Sequence, residues 1–123
     1  MSEEVMGLAR EGFGAWRRGD FGTIEAMLDP AVEWRAFGPR DWDCRGREEV
    51  MSVIRERHEQ GFAAGSLEFV DAGEDRVIVV AHPREIGGED WPEEAATLLA
   101  FRDGKVTTMQ DYPTWDEALA ATR

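Results

Sequence analysis

Two side chains in this 123-residue sequence stand out as able to move protons. Asp111 sits late in the β-patterned run Lys105 to Tyr112, where it alternates with Met109 and Thr107 on one face. A carboxylate among Met and Trp side chains has its charged form disfavoured by desolvation, which raises its proton affinity toward that of a working acid or base. His82 falls in Val77-Ile78-Val79-Val80-Ala81-His82-Pro83, and an imidazole in such a strand can act as general base or proton relay. Each has a plainer alternative. Asp111 can pair with an Arg or cap the helix that follows, and His82 can be a satisfied core or interface histidine. His58, late in a helix among acids and Gln, reads as structural or solvated. Two histidines without ligand spacing and one cysteine, Cys44, build no metal site and no intramolecular disulfide. Neither a phosphate-cradling glycine loop nor a nucleophile elbow is present. No metal and no cofactor are expected.

The elements that position these residues follow from hydrophobic spacing. Val5, Leu8, Ala9, Gly12, Phe13 and Trp16 recur every three or four residues, which predicts a helix over 3–18, capped by Ser2 and stopped by Gly19. Asp20 then caps a shorter helix through about Leu28, ended by Asp29-Pro30. Ala31 to Phe37 alternates as a strand, with Val32, Trp34 and Ala36 on one face. Gly38 to Gly46 reads as a polar loop. Arg47 to about Gln60 returns to helix, with Val50, Val53, Ile54 and His58 inward. Four β-rich runs follow, Ser66–Ala72, Arg76–Arg84, Glu93–Arg102 and Lys105–Tyr112, and Asp103-Gly104 is a strong tight-hairpin signal. Thr114 can cap a last helix, Trp115 to Ala121. Sequential strands with short turns imply antiparallel pairing, and segregated helices imply packing on one face. A strongly twisted sheet of that kind curls and leaves a cavity beneath the helices.

Length and composition bound the function. A chain of this size with 42% hydrophobic residues forms one core, so residues 1–123 are expected as a single domain. A net charge of −12, with no basic stripe, argues against nucleic acid and against anionic membrane surfaces. No run approaches the roughly 18 apolar residues of a membrane span, and no signal-peptide pattern follows the acidic start. The cytoplasm is the expected compartment. In Val77–Ala81 both strand faces are apolar, which requires both to be covered and predicts a homodimer on the outer face of the sheet.

Three segments together resemble the SnoaL-like polyketide-cyclase branch of the nuclear transport factor 2-like superfamily. The first is Ala15-Trp16-Arg17-Arg18-Gly19-Asp20-Phe21 followed by Met27-Leu28-Asp29-Pro30-Ala31-Val32-Glu33-Trp34. The second is Cys44-Arg45-Gly46-Arg47-Glu48-Glu49-Val50, and the third runs from Phe101-Arg102-Asp103-Gly104-Lys105-Val106 through Gln110-Asp111-Tyr112 to Asp116-Glu117-Ala118-Leu119. The resemblance implies an α+β fold: a curved, cone-like, mixed but mostly antiparallel sheet. Three N-terminal-half helices lie on its concave face, and a short helix closes the chain. It also turns the Asp111 face toward the cavity.

Specific chemistries within that superfamily fit less well. Its steroid isomerases use a helix tyrosine and a strand aspartate; those positions fall here on Gly12 or Phe13 and near Arg35, which cannot do the same work. Its limonene-type epoxide hydrolases use an Asp-Arg-Asp set whose last acid precedes a tyrosine, as Asp111 precedes Tyr112. Their Arg-x-Asp pair has no counterpart in Ala81-His82-Pro83-Arg84-Glu85, where adjacent Arg84 and Glu85 would point to opposite faces of a strand. The expectation is therefore a pocket for a small apolar molecule. Asp111 and His82 are its catalytic candidates; Trp16, Trp34, Phe37 and Met109 form its walls, with Trp42 and Trp91 near the mouth. Cofactor-independent acid/base chemistry of the isomerase, cyclase or hydrolase class competes with a non-catalytic apolar-ligand or dimeric assembly module. Fold alone does not separate them.

Overall fold

The computed structural model describes residues 2–35 and 43–122; the side chains of Ser2 and Ala63 are not described. The apolar stripe predicted along the N-terminus produces helix α1, Ser2–Arg18, with Glu3 and Glu4 in its first turn and Arg17 and Arg18 in its last. Gly19 ends it at φ +73°, where a side chain would be strained. The Asp20 amide then donates back to the Ala15 carbonyl at 2.8 Å and the Gly19 amide to Trp16 at 3.0 Å, a Schellman-type stop. Asp20 caps α2, Phe21–Met27, accepting from the Thr23 amide at 3.3 Å and its hydroxyl at 2.7 Å.

The chain passes from α2 directly into strand β1, Leu28–Arg35, so Asp29-Pro30 lies inside a strand rather than in a break. Pro30 has no amide to donate, and the β1–β6 register shifts between Leu28 and Glu33 around it. The strand expected to reach Phe37 is described only to Arg35; Phe37 and Trp42 lie outside the described residues. Within the predicted polar loop, Cys44–Arg45 forms a two-residue strand, β2, paired with β1. Helix α3, Arg47–Glu59, buries Val50, Met51 and Ile54. His58 packs edge-on against Phe21, ring centroids 5.3 Å apart.

Strands β3 (Leu67–Asp71), β4 (Arg76–Ala81), β5 (Ala95–Arg102) and β6 (Lys105–Tyr112) form the expected meander. Strand β3 is one residue shorter at each end than the sequence reading, and two other boundaries differ more. Strand β4 stops at Ala81, because Pro83 turns the chain into a short helix, α4, Arg84–Gly87. His82 therefore lies just past a strand end, not mid-strand. Strand β5 starts at Ala95 rather than Glu93. The final helix, α5, is Trp115–Ala120, capped by Thr114 as predicted.

The described strands form one curved, open sheet in the order β2-β1-β6-β5-β4-β3. All neighbours pair antiparallel except β1 and β6, which are parallel. Helices α1, α2 and α3 pack with the inner face around Val32, Trp34, Val50, Met51 and Val77. The outer face carries a second cluster, Ile78, Val80 and Ala96, closed by Ala118 of α5. The two-sided apolar character of β4 thus has an explanation within one chain: α5 buries the second face, and Ile78 is 0% exposed without any partner subunit.

Candidate functional site

Between the concave face and helices α1 to α3 lies an apolar cavity of about 250 Å³. Phe13 and Trp16 from α1, Leu99 and Phe101 from β5, and Met109 from β6 form much of its wall. The Trp16 indole N–H donates to the Ile54 carbonyl at 3.1 Å, which fixes the ring between α1 and α3.

Among the described residues a single carboxylate enters this lining, that of Asp111 near the end of β6. Its position follows from register: Asp111 lies opposite Thr97 on β5, and Met109 lies opposite Trp34 on the parallel strand β1. Trp34 therefore reaches forward along the sheet, and its indole N–H donates to Asp111 Oδ1 at 3.0 Å. The Thr97 hydroxyl donates to the same oxygen at 2.8 Å. Among the described residues no donor reaches Oδ2, and no buried side-chain oxygen or nitrogen lacks a partner. The Asp111 side chain borders the cavity with Oδ2 free of a hydrogen bond from any described residue. Burial pushes the Asp111 carboxyl above its ordinary value; the Trp34 and Thr97 hydrogen bonds and the charge of Arg57 pull the other way.

A family model described as the SnoaL-like domain matches residues 9–109. The chain belongs to the SnoaL-like domain family. No curated protein is similar to it in sequence. A crystal structure of an NTF2-like protein of unknown function from Burkholderia xenovorans LB400 shares 18% identity, covering 89% of this chain and 82% of that one, with a TM-score of 0.70. A de novo designed protein with a curved β-sheet, also 18% identical, covers 99% and 96% at a TM-score of 0.73. An NTF2-like protein of unknown function from Burkholderia pseudomallei K96243 is 25% identical, covering 91% of each chain at a TM-score of 0.60. Together these likenesses show the NTF2-like fold.

In this SnoaL-like domain the cavity brings together Trp16, Trp34, Met109, Asp111 and His82. His82 and Asp111 nonetheless do not touch. Val79 is opposite Thr97, and Thr97 is opposite Asp111, so β4 and β6 are separated by roughly 10 Å. His82 lies three residues farther along. Its Nε2 is 2.9 Å from Glu68 Oε2 on the neighbouring strand β3, a contact that raises its pKa. Thr107, expected to share the cavity face with Met109 and Asp111, does not line the cavity; Val106 does. A β-bulge is the reason: Ala100 pairs with Thr108 but Phe101 with Val106, so Thr107 is the extra residue and alternation breaks there.

Two contributors escaped the sequence reading. Thr97 carries no signal beyond β-patterning, and its role depends on register against Asp111. Arg57 lies on helix α3, yet it lines the cavity and places its guanidinium 4.7 Å from the Trp34 ring centroid. Cys44, opposite Trp34 on β2, is buried, and desolvation pushes its thiol up. Among the described residues no three His, Cys, Asp or Glu side chains converge as a metal site.

Proposed function

We propose that this SnoaL-like domain binds a small, largely apolar molecule and that Asp111 transfers a proton to or from it without a cofactor. One observation carries the reading: the Asp111 side chain borders an apolar cavity, its Oδ1 held by two donors while no described residue donates to Oδ2. A carboxylate so placed can take a proton from a carbon beside a carbonyl, or from water attacking an electrophile, and return it elsewhere on the same molecule. Trp34 and Thr97 keep it oriented through both states, since Oδ1 accepts from them whether or not Oδ2 is protonated. Desolvation supports the reading by bringing proton affinity closer to neutrality. The walls Trp16, Trp34 and Met109 supply apolar contact and little polar guidance. This suits the isomerase, cyclase or hydrolase class acting on a compact ketone, ester or epoxide. His82 is not placed to share a proton with Asp111 directly.

That separation favours a second reading, a non-catalytic apolar-ligand or assembly module, because the expected second proton carrier is engaged by Glu68. Incubation with a panel of small apolar ketones, esters and epoxides in deuterated water separates the two. Proton exchange or turnover by the wild type, lost in Asp111→Asn with apolar-ligand affinity retained, supports the acid/base role. Equal binding with no chemistry in either protein replaces it by the binding module. A homodimer belongs to the same proposal. Its support now comes from the half-buried Val70, Ala72 and Leu98 on the outer face, not from Ile78 and Val80. Light scattering at working concentration tests it. A cytoplasmic site of action is supported by the single, buried thiol of Cys44 and tested by fractionation.

A further inference from the structure

Asp111 is one end of a connected set that begins on a different element. Arg57 sits in the last turn of α3, where the negative end of the helix dipole favours a cation. Its guanidinium lies 4.7 Å from the Trp34 ring centroid, within the range of a cation–π contact. Trp34 then donates its indole N–H to Asp111 Oδ1 at 3.0 Å. Cation, π system, N–H and carboxylate follow one another from α3 through β1 to β6, all bordering the same cavity.

We propose that Arg57 is a positioning residue for Asp111, acting through the Trp34 indole: it holds the ring in the one orientation that aims its N–H at the carboxylate. This rests on the reading of Asp111 as the proton-transferring group. Three physical reasons support it. An indole with a guanidinium held over its ring loses freedom to turn its N–H away. A cation over the ring also draws electron density from it, which polarises the N–H and strengthens its bond to the carboxylate. The same charge opposes the desolvation that burial imposes on Asp111. The broad, weakly hydrated guanidinium and the compact, strongly hydrated ammonium of lysine meet an aromatic face differently, so lysine is not an equivalent.

Other charged and titratable groups face this set. From β2 comes the Cys44 thiol, which feels Glu49, Arg57, Asp43 and Asp111. Across the cavity His82 is held by Glu68. None of these donates a hydrogen bond to Asp111, whose donors are Trp34 and Thr97.

The test needs no substrate. The Asp111 carboxyl carbon and the Trp34 indole N–H are titrated by NMR in the wild type, Arg57→Gln, Arg57→Lys, Trp34→Phe and the Trp34→Phe/Arg57→Gln double variant. In the wild type both resonances should report one midpoint. Arg57→Gln should move that midpoint up and shift the indole N–H. Arg57→Lys keeps charge but loses the guanidinium contact with the ring, so it should move the midpoint less while shifting the indole N–H as far. In the Trp34→Phe background the effect of Arg57→Gln should shrink. An unmoved midpoint in folded Arg57→Gln overturns the proposal. So does a full-sized effect in the Trp34→Phe background, which would leave bare charge acting directly. Arg57 is half-buried near a helix end, and circular dichroism checks that each variant folds. Should the glutamine variant not fold, an indole N–H unmoved by Arg57→Lys overturns it equally. Retention of turnover in Asp111→Asn would instead remove the acid/base reading and leave the NMR result standing.

Discussion

Because burial pushes the Asp111 carboxyl above its ordinary value of 3.8, ionising it costs the folded protein more than the unfolded chain. Its contribution to stability is therefore fully present below the unfolded value and lost as pH rises through the folded one. Asp111→Asn keeps an oxygen for Trp34 and Thr97 and removes the charge. It should melt higher than the wild type at neutral pH, with the difference vanishing as pH falls below 3.8. Calorimetry across that range checks this; a variant less stable at every pH would show that the hydrogen bonds to the carboxylate outweigh its desolvation. His82 behaves with the same sign for another reason. Its hydrogen bond to Glu68 raises its pKa above 6.5, so the stabilisation is complete below 6.5 and is lost as pH climbs through the folded value. Glu68→Gln should flatten that loss in melts taken from mildly acidic to mildly alkaline pH. An unchanged slope would mean the pair does not form in solution.

At the scale of elements, the β5–β6 hairpin decides where Asp111 stands. Asp103 and Gly104 occupy positive φ, 54° and 79°, between paired Arg102 and Lys105, as a two-residue hairpin of the primed type requires. Gly104→Val forces a β-branched side chain into that region and should cost roughly 1 kcal/mol or more. Denaturant unfolding measures it, and unchanged stability would mean the turn does not hold this conformation. A few residues on, the bulge at Thr107 re-aims the rest of β6, so that Val106, Met109 and Asp111 all reach the cavity. The parallel β1–β6 pairing then sets Trp34 beside Met109 and within reach of Asp111. Turn, bulge and parallel ladder together fix one hydrogen bond.

For the molecule as a whole, the two faces of the sheet are sealed by different parts of the chain. Helices α1 to α3 close the cavity side, and α5 closes the other over Ile78, Val80 and Ala96. Ala118 is 0% exposed at that seal. Ala118→Glu would press a carboxylate onto an apolar face with no partner, and should lower stability by about 2 kcal/mol or more. It should also expose enough of the outer face to promote self-association, visible by light scattering. A variant that melts like the wild type would show that α5 contributes little to the covering of β4.

Element types were legible because they depend on local spacing. The heptad-like stripe of α1, the capping Asp20 and Thr114, the Asp103-Gly104 turn and the four alternating runs all act within a few residues, and each appears in the fold. Family membership was legible for a related reason: its motifs follow the order of those elements, and the SnoaL-like match spans residues 9–109. Asp111, Trp16, Trp34 and Met109 border the cavity; strand alternation grouped Asp111 with Met109, and the family resemblance turned that face toward the cavity. The partners of Asp111 were not legible. Thr97 meets it only through antiparallel register, Trp34 only through a parallel pairing 77 residues away in sequence, and Arg57 only because α3 packs across β1. Bulges and proline-interrupted ladders shift parity without leaving a periodic trace, as at Thr107 and Pro30. Which residues share a face is a local matter. Which of them touch is decided by register and crossing geometry, and those exist only once sheet and helices have packed around the core.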